Sequence, residues 1–297
     1  MTVDFKNQLD EIDRAVPAID VLRTAENEGP FVGAAVDLMV ETGSYVCVAA
    51  HIYPSGQAGW SRNQAIVGGH VVRLFKLIDA LLDQTCKHRR ETSMVFARLA
   101  FETIVNLVFL CKNCTEDVFA SYIQYSMRHE KKLFDRIHSN ITARDGEVLP
   151  IEQRMINSIE KKADVSGISI SDASSSTPQN WAGKNLFEKA KAVGFEQAYL
   201  AVFGGGSHTV HGNWMDMLEY HLRVEDDMFH PDGEWSPPRP QILLALAKLS
   251  VEALVSYFDY LGHLDARKIM DEILSDLWQR IREVDELHET YLQKSRS

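Results

Sequence analysis

The chain has 297 residues, 45% of them hydrophobic and 25% charged, enough for a sizeable core in one large helical domain or two modest ones. Its formal net charge of −11 excludes a general affinity for nucleic-acid backbone, and with it general DNA binding, while leaving room for a local basic pocket. No segment reads as an uninterrupted membrane span, because Arg98 and Glu102 interrupt the most apolar run, so no membrane partner is expected.

The N-terminal MTVDFKNQLDEIDR has neither the basic start nor the apolar centre of a signal peptide, so a cytoplasmic location is expected. Helical periodicity predicts helices near 3–27, 31–52, 64–88, 91–112, 115–140 and 150–163. Further ones fall near 183–192, 195–203, 207–222, 240–263 and 266–293. Strand signals are almost absent. Serine-rich 164–179 and proline-rich 225–240, which carries an exposed-looking Trp235, read as loops. The expectation is an all-α multi-helix bundle forming a single domain over 1–297, with the helix Met94–Cys111 at its centre. Four cysteines fit a reduced compartment. The pair Cys111-x-x-Cys114 closes a helix instead of opening one and has no second pair, so it reads as ordinary thiols.

Within MVFARLAFETIVNLVFLC, three residues break the apolar pattern: Arg98, Glu102 and Asn106. Their i, i+4, i+8 spacing places them on one helical stripe about 12 Å long. A helix apolar nearly all round is buried, so these groups are expected to be paired, either as a structural network or as the floor of a site. In FGGGSHTVHGNWMDMLEYHL, Gly204, Gly205 and Gly206 permit tight backbone, and Ser207 suits an N-cap. His208 and His211 then fall in the first turn of a helix running to the early 220s. There the helix dipole favours an anion and keeps imidazole neutral. A capped helix whose histidines bond to neighbouring helices is the plain alternative. A metal site would need a second ligand pair that is missing, so no metal and no cofactor are expected. Lys87–Arg90 and the basic face of Arg128, His129, Lys131, Lys132 and Arg136 read as a turn and a solvated helix face, the latter equally suiting an acidic partner or RNA backbone.

These residues carry a family resemblance. Arg98-x-x-x-Glu102 is followed by Trp181-x-x-Lys184 with Ala190, by Gly194-Phe195-x-x-x-Tyr199, and by Ser207-x-x-x-His211-Gly212. The ordered set resembles bacterial helical domain-of-unknown-function family 5677, over roughly residues 64–222. That family is in turn similar in layout to HEPN domains, many of which are metal-independent ribonucleases with an R-x(4–6)-H motif in toxins and antiviral systems. The resemblance implies a HEPN-like ribonuclease or toxin-type effector with RNA or a nucleotide as ligand. It implies His211 as base, His208 as acid, Arg98 as phosphate stabiliser and Glu102 as its holder. Asn106, Ser207, Gly205 and Gly206 would serve binding. The chain departs from the motif: neither His211 nor His208 has an arginine at the required spacing, and Arg223-x6-His230 reads as a coincidence within a loop. The alternative is therefore a non-catalytic sensor or partner-binding module. HEPN-like domains commonly build their cleft from two copies. A three-four apolar seam through Ile273, Leu277, Ile281, Val284, Leu287 and Tyr291 likewise suits a homodimer, unless it docks on the chain's own core.

Overall fold

The computed structural model describes residues 2–54, 56–171, 173, 180–200 and 212–295, with side chains from Phe5 onward. The first unit, Met1–Lys112 with Lys189–Ser297, holds helices α1 (Thr2–Asp10), α2 (Ile19–Arg23), α3 (Gly29–Ala49), α4 (Arg62–Cys86) and α5 (Arg90–Lys112). The second unit, Asn113–Glu188, holds α6 (Glu116–Ala143), α7 (Pro150–Val165) and a 3-10 turn at Trp181–Gly183. The chain returns to the first unit through α8 (Leu186–Val193) and α9 (Glu196–Ala198). It continues with α10 (Trp214–Tyr220), strands β1 (Leu222–Glu225) and β2 (Met228–Pro231), α11 (Pro240–Leu261) and α12 (Leu264–Ser295).

The heart of the first unit is a four-helix ring: α3 packs on α4, α4 on α5, α5 on α11, and α11 back on α3. Each of these helices carries apolar residues on more than one face, and the ring gives each such face a partner. Phe101, Ile104 and Leu107 of α5 are fully buried with Leu74 and Leu81 of α4, Phe31 and Leu38 of α3, and Tyr257 and Phe258 of α11. The chain is mostly helical, as its periodicity predicts. Helix starts follow the sequence: Ser61 and Gln64 form a capping box on α4, and Pro30, Pro150 and Pro240 open α3, α7 and α11. The left-handed Gly262 closes α11.

Three expectations need correction. Helices α3, α5 and α11 are each long and apolar enough to cross a membrane by length and composition, because two charges do not take such a window out of that range. The helix expected over 3–27 stops at Asp10 and resumes at Ile19, since Pro17 removes a backbone donor and the intervening strap is held from elsewhere. Arg14 pairs with Asp276, while Arg280 of α12 binds the Ala15 carbonyl (2.5 Å) and makes a two-pronged bridge to the buried Glu41 (2.6 and 2.7 Å). The loop expected over 225–240 begins with a hairpin: Asp226 and Asp227 both adopt positive φ (50° and 60°), the signature of a two-residue type I′ turn. The apolar seam of α12 docks on α11 and α3, with Leu277, Ile281 and Val284 fully buried inside their own unit.

Candidate functional site

The α4–α5 hairpin presents the polar groups. Arg98, Glu102 and Asn106 share one stripe of α5 and are half-buried, not engulfed. Among the described residues, no ion pair joins Arg98 to Glu102; this corrects the contact expected from their spacing, since an i, i+4 pair with arginine first is the weaker orientation. A second guanidinium comes from α4: Arg73 donates from Nε to Thr103 Oγ1 at 3.1 Å, and Thr103 donates in turn to the Leu99 carbonyl at 2.7 Å.

One turn before Arg73 on α4 stands His70, buried, its Nδ1 donating to the Ile66 carbonyl at 2.8 Å. Burial pushes the His70 imidazole below the ordinary 6.5; the Arg73 charge adds to this, and the Ile66 hydrogen bond opposes it. Sequence reasoning passed over both residues. The available signal was a histidine and an arginine, three apart, on the otherwise apolar stretch IVGGHVVRLF.

Tyr199, a few residues before the glycine-histidine segment, sets its ring edge-on against Phe101 of α5 (centroids 6.3 Å apart). Gly205, Gly206, Ser207, His208 and His211 themselves lie outside the described residues. The helix that reaches Tyr220 does not start at Ser207: it starts at Trp214, capped by Asn213, whose side chain accepts from the backbone of Met215 (3.1 Å) and Asp216 (3.2 Å). Gly212 at φ +55° turns the chain just before that cap. An asparagine cap directly after a left-handed glycine overrides the continuous helix that periodicity suggests.

Several of the spaced motif residues hold backbone in place. Trp181, buried, meets Tyr122 of α6 edge-on at 5.2 Å, and the following Ala182 N–H reaches Ser121 Oγ at 2.8 Å. Ala190 is fully buried, Gly194 at φ +91° ends α8, and Phe195 donates its N–H to the Ala190 carbonyl at 2.7 Å.

Residues 64–229 match the model of the family of unknown function DUF5677. The chain belongs to that family. No curated protein and no solved structure matches it. The DUF5677 region takes in α4, α5, the second unit, the short helices and the start of the hairpin, but stops one residue before His230. It therefore contains Arg223 and leaves out that arginine's cross-strand neighbour: the hairpin register sets Arg223 directly opposite His230. On α6, Lys131 is paired with Asp135 (2.5 Å), and Arg128 stacks over the Tyr125 ring (5.0 Å) with its charge intact. All four cysteines are free thiols.

Proposed function

We propose that this DUF5677 chain is a HEPN-like, metal-independent ribonuclease or toxin-type effector, with a place in bacterial antiviral defence. The observation that carries the proposal is the seating of Tyr199 on Phe101, which brings the lead-in of the glycine-histidine segment to α5, within one turn of Arg98 and beside Glu102. In the proposed chemistry His211 takes the proton from a ribose 2′-hydroxyl, whose oxygen attacks the adjacent phosphorus. The 5′-oxygen leaves with a proton from His208, and a cyclic phosphate remains. Arg98 steadies the charge on the phosphate, with Glu102 and Asn106 on the same stripe of α5. A second copy would complete the cleft, so the reading carries a homodimer with it.

A second reading, a non-catalytic sensor or partner-binding module, is favoured by one specific observation. The helix to Tyr220 begins at Trp214, so neither histidine falls within its first turn as the sequence suggests.

Incubating the purified protein with total RNA in the presence of EDTA separates these readings. Cleavage lost in His211→Ala and Arg98→Ala supports the proposal. No cleavage by the wild-type protein leaves the binding module. Cleavage that depends on metal, or that survives both substitutions and disappears in His230→Ala, overturns the assignment of the site.

A further inference from the structure

A cavity separate from the α5 stripe lies where the start of α5 meets the end of α10 and the strap beyond β2. It encloses about 230 Å³ and is lined by Glu91, Tyr220, His221, Asp232, Gly233, Glu234 and Trp235. Glu91 is 6% exposed. Its Oε1 accepts the Ser236 N–H at 3.0 Å, but its Oε2 is buried with no hydrogen-bond partner. Such an orphan is costly in a folded chain and marks a place where a donor is missing. The place of Glu91 in the first turn of α5 suits a carboxylate, which calls for a cationic donor.

The neighbouring guanidiniums do not supply that donor. Arg90 stacks over Tyr220 (5.2 Å) and reaches Glu219 (3.4 Å), and Arg89 stacks over Trp235 (5.2 Å). Among the described residues, no lysine or arginine lines the cavity, whereas Asp232 and Glu234 add negative charge beside Glu91. Asp232 also fixes the shape of the strap, its Oδ1 accepting the Glu234 N–H at 3.0 Å and its own N–H bonding to the His221 carbonyl at 2.9 Å. Among the described residues, no group of three or more histidine, cysteine or carboxylate side chains is arranged to hold a metal ion. The volume far exceeds the roughly 30 Å³ share of one water, and the Tyr220 and Trp235 rings offer apolar wall for carbon.

We propose that this cavity binds an alkylammonium group, the cationic end of a small aliphatic amine, with its N–H donors on Glu91 and its chain along Trp235 and Tyr220. This goes beyond the ribonuclease reading and stands or falls independently of it.

Calorimetric titration of the full chain with n-butylamine and with 1,4-diaminobutane, against 1-butanol as neutral isostere, tests it. Saturable binding of the amines and none of the alcohol is expected. Glu91→Gln, which keeps an acceptor for the Ser236 N–H, is expected to weaken amine binding by about tenfold or more with an unchanged thermal melt. Trp235→Ala, at a half-exposed position, is expected to weaken it while leaving Glu91 intact, and decides the matter if Glu91→Gln does not fold. Absence of saturable amine binding up to about 10 mM, equal binding of the alcohol, or undiminished amine binding in the variants would each overturn the proposal.

Discussion

Arg223 and His230 face each other across the two strands of the β1–β2 hairpin. Directly opposed residues share one face of a sheet with their Cβ atoms about 5 Å apart, so a spacing that reads as chance in the sequence brings a cation and an imidazole together in space. The pair is exposed, unlike the half-buried Arg98, and the family match stops just short of its histidine. In the RNA assay, Arg223→Ala and His230→Ala are expected to leave any EDTA-resistant cleavage unchanged. Loss of cleavage in both would move the site from α5 to the hairpin.

The hairpin turn itself is improvable. Asp226 and Asp227 both sit at positive φ, where an asparagine followed by a glycine is the preferred pair. The double change Asp226→Asn with Asp227→Gly is expected to relieve strain and raise stability by about 0.5–1 kcal/mol, read as slower amide exchange in β1 and β2 and a small rise in melting temperature. A lower melting temperature would show that the aspartates hold the turn by contacts of their own.

Truncating the centre of the ring should be severe. Leu107 of α5 is fully buried. Leu107→Ala is expected to cost about 2–5 kcal/mol in chemical denaturation, and a cost below about 1 kcal/mol would mean that α5 is not the packed centre.

The bridge between Glu41 and Arg280 ties α3 to α12 with both side chains almost wholly buried. Glu41→Ala leaves the Arg280 guanidinium with only Asp276 and the Ala15 carbonyl and is expected to cost about 3 kcal/mol. The paired change Glu41→Leu with Arg280→Met is expected to recover most of that loss, because it removes both charges instead of one. Equal damage from single and paired changes would show that the geometry around Ala15, not charge burial, sets the cost.

His70 makes stability depend on pH with a definite sign. Its imidazole is held below the ordinary 6.5 in the folded chain, so on acidification the unfolded chain takes up the proton first. Stability attributable to this residue is therefore intact above about pH 6.5 and declines as pH falls from there toward the depressed folded value, at up to about 1.4 kcal/mol per pH unit. His70→Gln is expected to flatten that part of the curve in denaturant titrations run from about pH 7.5 to about pH 5. An identical slope in the variant would assign the acid sensitivity to other groups.

The long apolar helices were readable from the sequence because their period, length and starting residues agree with one another: Pro240 through Gly262 announces α11 almost to the residue. The N-terminal break was not readable, since the groups that claim Arg14 and Ala15 lie some 260 positions away on α12. The hairpin was hidden by its shortness, its exposed strands and an Asp-Asp turn that resembles any acidic loop. For the candidate site, Arg98, Glu102 and Asn106 stood out as polar residues in an apolar run, whereas His70 and Arg73 lay on a helix whose amphipathic pattern gave an ordinary account of both. The late start of the helix expected over 207–222 turned on Gly212 and Asn213, where a local cap competes with periodicity.

The closed ring also sets an order of events during synthesis. Helices α3, α4 and α5 leave the ribosome within the first 112 residues, but α11, which covers α3 and α5 together, is not complete until residue 261. The second unit is contiguous in sequence and emerges during the wait. The nascent chain thus carries an open apolar trough through the translation of about half its length, and its yield in cells depends on how well that trough is shielded until its lid is translated.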